Sequence, residues 1–389
     1  MKAKGLLIGI GLAATLALPS QAEDAVEIGM ITTLSGPAGY LGQDIRDAFQ
    51  LAIDMEGGTL GGVPVELKVE DDGLNPGKGR EIAEGFIQND GIKLLTGIVF
   101  SNVAMAVVPE VLDGGDFYVS PNAGPSPLAG KGCDQNYFVV SWQNDALHEP
   151  AGVAASDAGY KTAYVLAPNY QAGKDAIAGF KRTFTGEIVG ETYTPLGQTD
   201  FASAMAEIRA AAPDVVYEFY PGGMGIAFLK QYSQAGLTGQ IPLVLSEPSL
   251  DAVILKAVGD AAVGVQLTSH WNEDFDNASN KAFVAAWKEA YPDRPMTTYA
   301  SQGYDTALLI ASALNAAGSP ENEDAFREAL RKAEFESVRG AFKFGANQHP
   351  IQDWYLLKIE AGADGSATTT TQKKLLSDYG DPYMSQCKM

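Results

Sequence analysis

The sequence is short of cysteine, histidine and basic residues, and each shortage narrows what the protein can be. There are two cysteines, Cys133 and Cys387, and three histidines, His148, His270 and His349. The histidines are scattered without ligand spacing, so no metal site and no cofactor is expected. Lys and Arg number 27 against 48 Asp and Glu, a net charge of −21. Such acidity excludes nucleic acid and anionic lipid as natural partners. The charges are dispersed and 46% of residues are apolar, which argues for a folded core rather than disorder. No apolar run is long enough to span a bilayer. The longest, Gly5–Leu18, follows Lys2 and Lys4 and precedes Ser20-Gln21-Ala22. It reads as an export signal over residues 1–22, cleaved near Ala22, with a retained anchor as the alternative. An exported chain belongs most simply in a bacterial periplasm. In that oxidising compartment Cys133 and Cys387 are expected to form one disulfide, two unpaired thiols being the alternative. For so long a loop the chain-entropy gain is at best roughly 4 kcal/mol.

Catalytic motifs are missing as well. Ser126 in Gly124-Pro125-Ser126-Pro127 lacks the second glycine of a nucleophile elbow, and His148-Glu149-Pro150 does not continue into HExxH. Gly130-Lys131 lacks the spacing of a P-loop, and Gly222-Gly223-Met224-Gly225 lacks that of a dinucleotide turn. No enzyme is expected.

What is present is a repeated strand–turn–helix pattern. Val26, Ile28, Met30 and Ile31 form a short apolar run that breaks at Leu34-Ser35-Gly36-Pro37, after which Ile45, Phe49, Ala52 and Ile53 recur at helical spacing. Strands are then expected at 63–70, 92–98 and 116–120, with helices between them. The pattern restarts around Tyr137–Asp145. Strands follow at 162–167, 187–193, 214–220, 241–245 and 263–268, with a mainly helical segment from Asn280 to Ala317. Late strands are expected at 341–344 and 354–360, and Gly362–Thr371 reads as a loop. Ser101 or Asn102 is expected to cap one helix, Thr199-Asp200 a second, and the Ser246–Ser249 turn a third. The fold class is α/β with two Rossmann-like lobes. Polar turns at strand ends would face a cleft between them, where helix starts favour an anion.

The candidate ligand contacts lie in these turns. Ser101, Asn102, Asn122 and the backbone of Ala123 offer donors to a carboxylate, each charge-assisted bond being worth about 1.5–3 kcal/mol. Aromatic residues recur at the same edges: Tyr40, Phe100, Trp142, Tyr170, Tyr220, Trp271 and Tyr304. Of these, Tyr40, Phe100, Tyr170, Tyr220 and Tyr304 are taken as ligand-facing, together with His270 and with Glu247, a partner for a ligand ammonium.

The stretches IGMITTLSGPAGYLGQDIRDAFQLAID, Asp71-Asp72, VSPNAGPSPL and FYPGGMGIAFLKQYSQAGL resemble the Leu/Ile/Val-type periplasmic solute-binding proteins of ABC importers. The resemblance implies the type I periplasmic-binding fold, two lobes with three crossovers. It would place lobe 1 at 23–142 plus 272–345 and lobe 2 at 143–271 plus 346–389. It also implies a monomer that captures a small-molecule carboxylate by hinge closure and delivers it to a membrane permease. By that likeness Ser101 holds the carboxylate, Asn122, Ala123 and Gly124 form the adjoining turn, and Glu247 meets an ammonium. Gly124 replaces the usual Thr, and Ala172-Gly173 replaces the usual Tyr-Gly, with Tyr170 nearby. NYQAGKD, FYPGGMG and the QCKM tail are similar to the subgroup that binds aromatic acids such as benzoate or cinnamate derivatives. The alternatives are a branched-chain or other amino-acid-binding protein and a ligand-sensing module for a receptor.

Overall fold

The opening stretch forms β1 (Val26–Thr32) and α1 (Gly39–Met55) in a computed structural model that describes residues 25–362 and 366–389. The expected export signal at 1–22 lies outside the described residues. From Ile28 to Thr32 every residue of β1 is buried, as in a central parallel strand covered on both faces. The first sheet continues through β2 (Thr59–Leu60), β3 (Val63–Asp71), α2 (Pro76–Gln88), β4 (Leu94–Thr96), α3 (Ser101–Asp113), β5 (Phe117–Ser120), a short α4 (Ser126–Ala129) and β6 (Tyr137–Val139). Its order is β2-β3-β1-β4-β5-β6, parallel except for the β2–β3 hairpin. Asn75 caps α2 through the N–H groups of Gly77 and Lys78, with Pro76 in the first turn.

The second series runs α5 (Asn144–Asp157), β7 (Thr162–Pro168), α6 (Gln171–Thr183), β8 (Glu187–Thr194), α7 (Ala202–Ala211), β9 (Val215–Glu218), α8 (Gly223–Gln234), β10 (Val244–Ser246), α9 (Ala252–Val258) and β11 (Gln266–Ser269). Strands β8-β7-β9 are parallel, and a bridge between Val216 and Leu243 carries the layer on towards β10 and β11. The chain then returns. α10 (Ala278–Ala290), α11 (Thr298–Ala317) and α12 (Glu323–Lys332) share a core with β1, through Phe283, Trp287, Ile310 and Phe326. Finally β12 (Lys343–Phe344) pairs with the start of β13 (Pro350–Ala361), and β13 and β14 (Ala367–Tyr379) join the second lobe, β13 lying antiparallel between β11 and β14. Among the described residues no helix is long and apolar enough to cross a membrane.

Several expectations need correction. Tyr137–Val139, where the pattern was expected to restart, instead pairs in parallel with β5 as the last strand of the first sheet. The expected loop at 362–371 is strand from Ala367 onward, because its threonine run pairs with the apolar β13 and leaves its outer face polar. Helices α5 and α12 were not expected. α5 hides behind its polar first turn and internal Pro150, and α12 follows the segment taken as the last helix. α3 is preceded by Phe100 with no side-chain cap, since Ser101 is already helical and its hydroxyl turns elsewhere. Glu247–Ser249 form one 3₁₀ turn, and it is Asp251 that caps α9, accepting from Val253 and Ile254.

The chain passes between lobes three times, at 140–143, 270–277 and 333–349, and these passages meet in one buried cluster. Trp142 from the first packs edge-on against His270 from the second at 5.2 Å, and His270 lies 5.6 Å from Trp354 of β13. Beside them Arg339 pairs with Asp305 of α11 at 3.0 Å and donates to the Ser141 carbonyl and to Gln352. Gln352 in turn donates to the same Ser141 carbonyl at 2.8 Å. Away from this cluster Cys133 and Cys387 are bonded, 254 residues apart, tying the C-terminal segment to the loop before β6.

Candidate ligand-binding site

Between the lobes lies a narrow space of about 20 Å³, far below the size of an occupied ligand pocket, so the facing residues of the two lobes lie nearly closed on each other. Its walls are largely helix starts. Ser101 opens α3 with Phe100 just ahead of it, Leu41 lies in the first turn of α1, and Tyr299 is second in α11. From the other lobe Asn144 opens α5, Tyr170 and Ala172 flank the start of α6, and Pro221 precedes α8. Val99, Asn122, Trp142, Leu147, His148, Phe219 and Pro248 complete the lining, with no Asp, Glu, Lys or Arg among the described residues that form it. Each helix start carries the positive end of a dipole, roughly half an elementary charge, and N–H groups without helical partners. Such a chamber favours an anion without a formal counter-charge and offers flat apolar walls to whatever the anion is attached to.

The lobes are closed over this space by polar latches on two sides. Tyr40 donates to Asp251 at 2.5 Å across the cleft. On the other side Ser126 donates to Asp175 at 2.6 Å, while the Asn144 amide reaches Ser101 Oγ at 3.0 Å and Asp175 at 2.9 Å. At the lip Pro37 and Ala38 meet Gly222 and Gly223. Gly222 has φ +68°, and a Cβ on Gly223 would lie 2.7 Å from the Pro37 Cβ. Gly223→Val therefore wedges the lip open. The expected result is ligand affinity reduced by about tenfold or more, with a larger radius of gyration at saturating ligand than wild type by small-angle scattering.

Of the residues singled out from sequence, Phe100, Ser101, Asn122 and Tyr170 border the space. Asn122 donates to Gln302 at 2.8 Å, and Phe100 and Tyr170 face each other with centroids 6.3 Å apart. Tyr40 serves the latch beside it. Ala123 is buried, its carbonyl accepting from Ser120 and Tyr137. Asn102 follows Ser101 on α3, outside the lining, its Oδ1 buried without a partner among the described residues. Tyr220 is in the second-lobe core against Phe201 and Phe228. Tyr304 stacks on Phe283 in the first-lobe core, and His270 belongs to the hinge cluster. Glu247 is buried next to Asp251 and outside the lining; it accepts the Thr298 N–H and leaves one oxygen without a partner among the described residues. Residues that sequence reasoning left out of the site are Asn144, Leu147, His148, Phe219 and Tyr299. Tyr299 lies in the first turn of α11, but 280–317 was expected as one mainly helical segment, so that helix start was unmarked; α5 carried no signal, because the helix itself was missed.

Burial dominates the electrostatics. It raises Asp44 and Asp175 to about 6 and Asp251 to about 7, and pushes Glu247 and Glu218 well above the usual carboxylate range. At these carboxyls the folded protein binds more protons than the unfolded chain between about pH 4 and 7, so their contribution to stability is lost as pH rises through that window, while His148, His270 and His349, held neutral by burial, oppose it in the acid part of the range. The expected result is a melting temperature several degrees higher at pH 5 than at pH 8. Asp251→Asn, which keeps the helix cap, should flatten that dependence in calorimetry.

A two-lobed α/β protein with hinge crossovers and an interlobe chamber of helix starts is a capture protein, and comparison with known proteins agrees. Residues 25–365 match the periplasmic binding protein family. A Leu/Ile/Val-binding protein homolog 6 from Brucella melitensis is 28% identical over 95% of this chain and 96% of its own. The solute-binding protein of an ABC transporter from R. palustris, solved with benzoate, superposes with TM-score 0.88 at 32% identity, covering 94% of this chain and 100% of that one. A second such protein, from Rhodopseudomonas palustris BisB5 and solved with 3,4-dihydroxybenzoic acid, gives 0.84 at 29% identity, covering 92% and 99%. The chain belongs to the periplasmic binding protein family, and within it to the solute-binding proteins of ABC transporters. Its architecture is the type I fold.

Proposed function

We propose that the protein captures a small aromatic carboxylate, of the benzoate or cinnamate kind, by hinge closure and hands it to a membrane permease for import, without turning it over. The observation that carries this reading is the lining of the closed chamber: aromatic and apolar walls, neutral donors at Ser101 and Asn122, and no side-chain charge among the described residues that form it. An α-amino acid needs an anion at its ammonium. Glu247, the residue suited to that task, lies outside the lining, and burial next to Asp251 favours its neutral form. The benzoate-type ligands of the two solved relatives support the same class. Ser101 and Asn122 would hold the carboxylate from lobe 1 (23–142 plus 272–345), the Ala123 N–H being taken by the Ile98 carbonyl. Tyr170 would close over the ring from lobe 2 (143–271 plus 346–389). Export to the periplasm as a monomer, with cleavage near Ala22, completes the reading. The test is a thermal-shift and calorimetric screen of benzoate, cinnamate and leucine. Aromatic acids should raise the melting temperature and leucine should not; the reverse pattern would replace this reading with an amino-acid-binding one, as the name of the Brucella relative would have it.

A further inference from the structure

The C-terminal segment makes a further passage between the lobes after the three crossovers. β14 ends in the second lobe at Tyr379, and eight residues later Cys387 is bonded to Cys133, in the first-lobe loop between α4 and β6. On its way the segment lies along the third crossover. Asp381 accepts from the Asn347 amide at 2.9 Å, and the same amide donates to the Ala129 carbonyl at 3.0 Å. Met384 packs over Gly345, where an added Cβ would lie 2.7 Å from the methionine Cε. Tyr383 and Gln386 pack against Gly130 of the first lobe.

From this anchorage the same segment grips the second lobe. The Tyr383 hydroxyl donates at 2.9 Å to Asp145, in the first turn of α5. Arg182 of α6 pairs with that carboxylate at 2.9 Å and lies 5.9 Å from the centre of the Tyr383 ring. Four residues along α5, Glu149 accepts from Tyr379 and pairs with Arg182 as well. Both carboxylate side chains are fully buried, so these contacts are screened less than exposed pairs. They continue the latch described above. Ser126, which opens α4, donates to Asp175, about two turns before Arg182 on α6. One first-lobe segment, 126–133, thus holds α5 and α6 twice, directly through Ser126 and through the bonded tail by Tyr383.

We propose that the bonded C-terminal segment is a strap that biases the hinge towards its closed form. On opening, either the Tyr383–Asp145 contact or the packing of Tyr383 and Met384 on the first lobe and third crossover must give, because the bond does not. With the bond in place the tail stays beside both partners, and the broken contacts re-form at high effective concentration. Without it the last residues are a chain end that has to be ordered each time the lobes meet. The bond therefore raises the population of the closed form, and with it the affinity for what the cleft captures. This rests on the hinge-closure reading above and not on the class of ligand.

The test is small-angle scattering of the ligand-free protein as wild type, as Cys133→Ser with Cys387→Ser, and as Tyr383→Phe, which keeps the bond and loses the hydroxyl that reaches Asp145. Each is checked for folding by thermal melting. Both variants should have a larger radius of gyration than wild type and should bind benzoate about threefold to tenfold more weakly. A double variant that melts lower but keeps the wild-type radius and affinity would make the bond a staple for stability alone and overturn the proposal. So would a Tyr383→Phe protein with the wild-type radius. Benzoate at saturation separates the strap from the reading beneath it. Binding to wild type without contraction would sink hinge closure itself, whereas contraction of wild type with unchanged variants would sink the strap alone. If benzoate does not bind, the ligand-free radii decide; should the double variant fail to fold, Tyr383→Phe decides.

Discussion

Replacing Ser101 by alanine lowers affinity for benzoate by about tenfold to a hundredfold, while the ligand-free protein melts within a few degrees of wild type. The hydroxyl is buried, accepts from Asn144 at 3.0 Å, and has no acceptor for its own proton among the described residues. It stands at the first residue of α3, beside helix N–H groups that have no helical partners. A hydrogen bond to a carboxylate is worth about 1.5–3 kcal/mol, which is the stated range of affinity. Stability changes little because the Asn144 amide keeps its second acceptor, Asp175 at 2.9 Å. Titration of benzoate against neutral benzamide checks the assignment. Wild type should prefer benzoate, and Ser101→Ala should lose most of that preference. Equal losses for both compounds would place Ser101 against the ring rather than the carboxylate.

Asp305→Ala costs about 3–5 kcal/mol of folding stability, the penalty of leaving a buried arginine without its partner. Asp305 and Arg339 have side chains only 1% and 2% exposed. Asp305 also accepts from Ser337 at 2.6 Å and from the Val338 N–H at 2.9 Å, so its loss frees three donors at once. Through Arg339 it further reaches the Ser141 carbonyl and Gln352, that is, the first crossover and the first strand after the third. Denaturant melts should show the loss in the unfolding midpoint. Replacing Arg339 and Asp305 together by apolar residues of similar volume should recover much of it, since the cost lies in the unpaired charge rather than in the absence of a pair.

How far the sequence foretold this arrangement follows from what each element carries locally. β1, β3, α1 and α2 are written in period and punctuation: alternating or continuous apolar runs, Gly-Pro breaks, and Asn75-Pro76 at a helix start. α5 is not, because its first turn is polar and Pro150 lies within it, while its buried residues mix small alanines with Asn144, Asp145, His148 and Glu149 and give little hydrophobic contrast. Missing α5 hid Asn144, Leu147 and His148 together. β14 was obscured for a different reason. A threonine run has no apolar alternation, and it becomes strand only by pairing with β13, a tertiary fact. In the site, Ser101, Asn122, Phe100 and Tyr170 were legible because strand-to-helix turns must face the cleft edge. Tyr220 and Tyr304 could not be told from lining residues, since an aromatic at a strand end or on a helix turns towards core or cleft by a rotation that period alone does not fix. His270 was misread as a cleft residue because its place is set by Trp142 and Trp354, one distant in each direction along the chain.

The bond between Cys133 and Cys387 also fixes an order of events. The ribosome releases the chain from its amino end, so the first sulfur emerges 254 residues before the second. Every strand of the second sheet is made in that interval. The bridge therefore cannot close until all of those strands have been synthesised. During that interval Cys133 has no partner within its own chain.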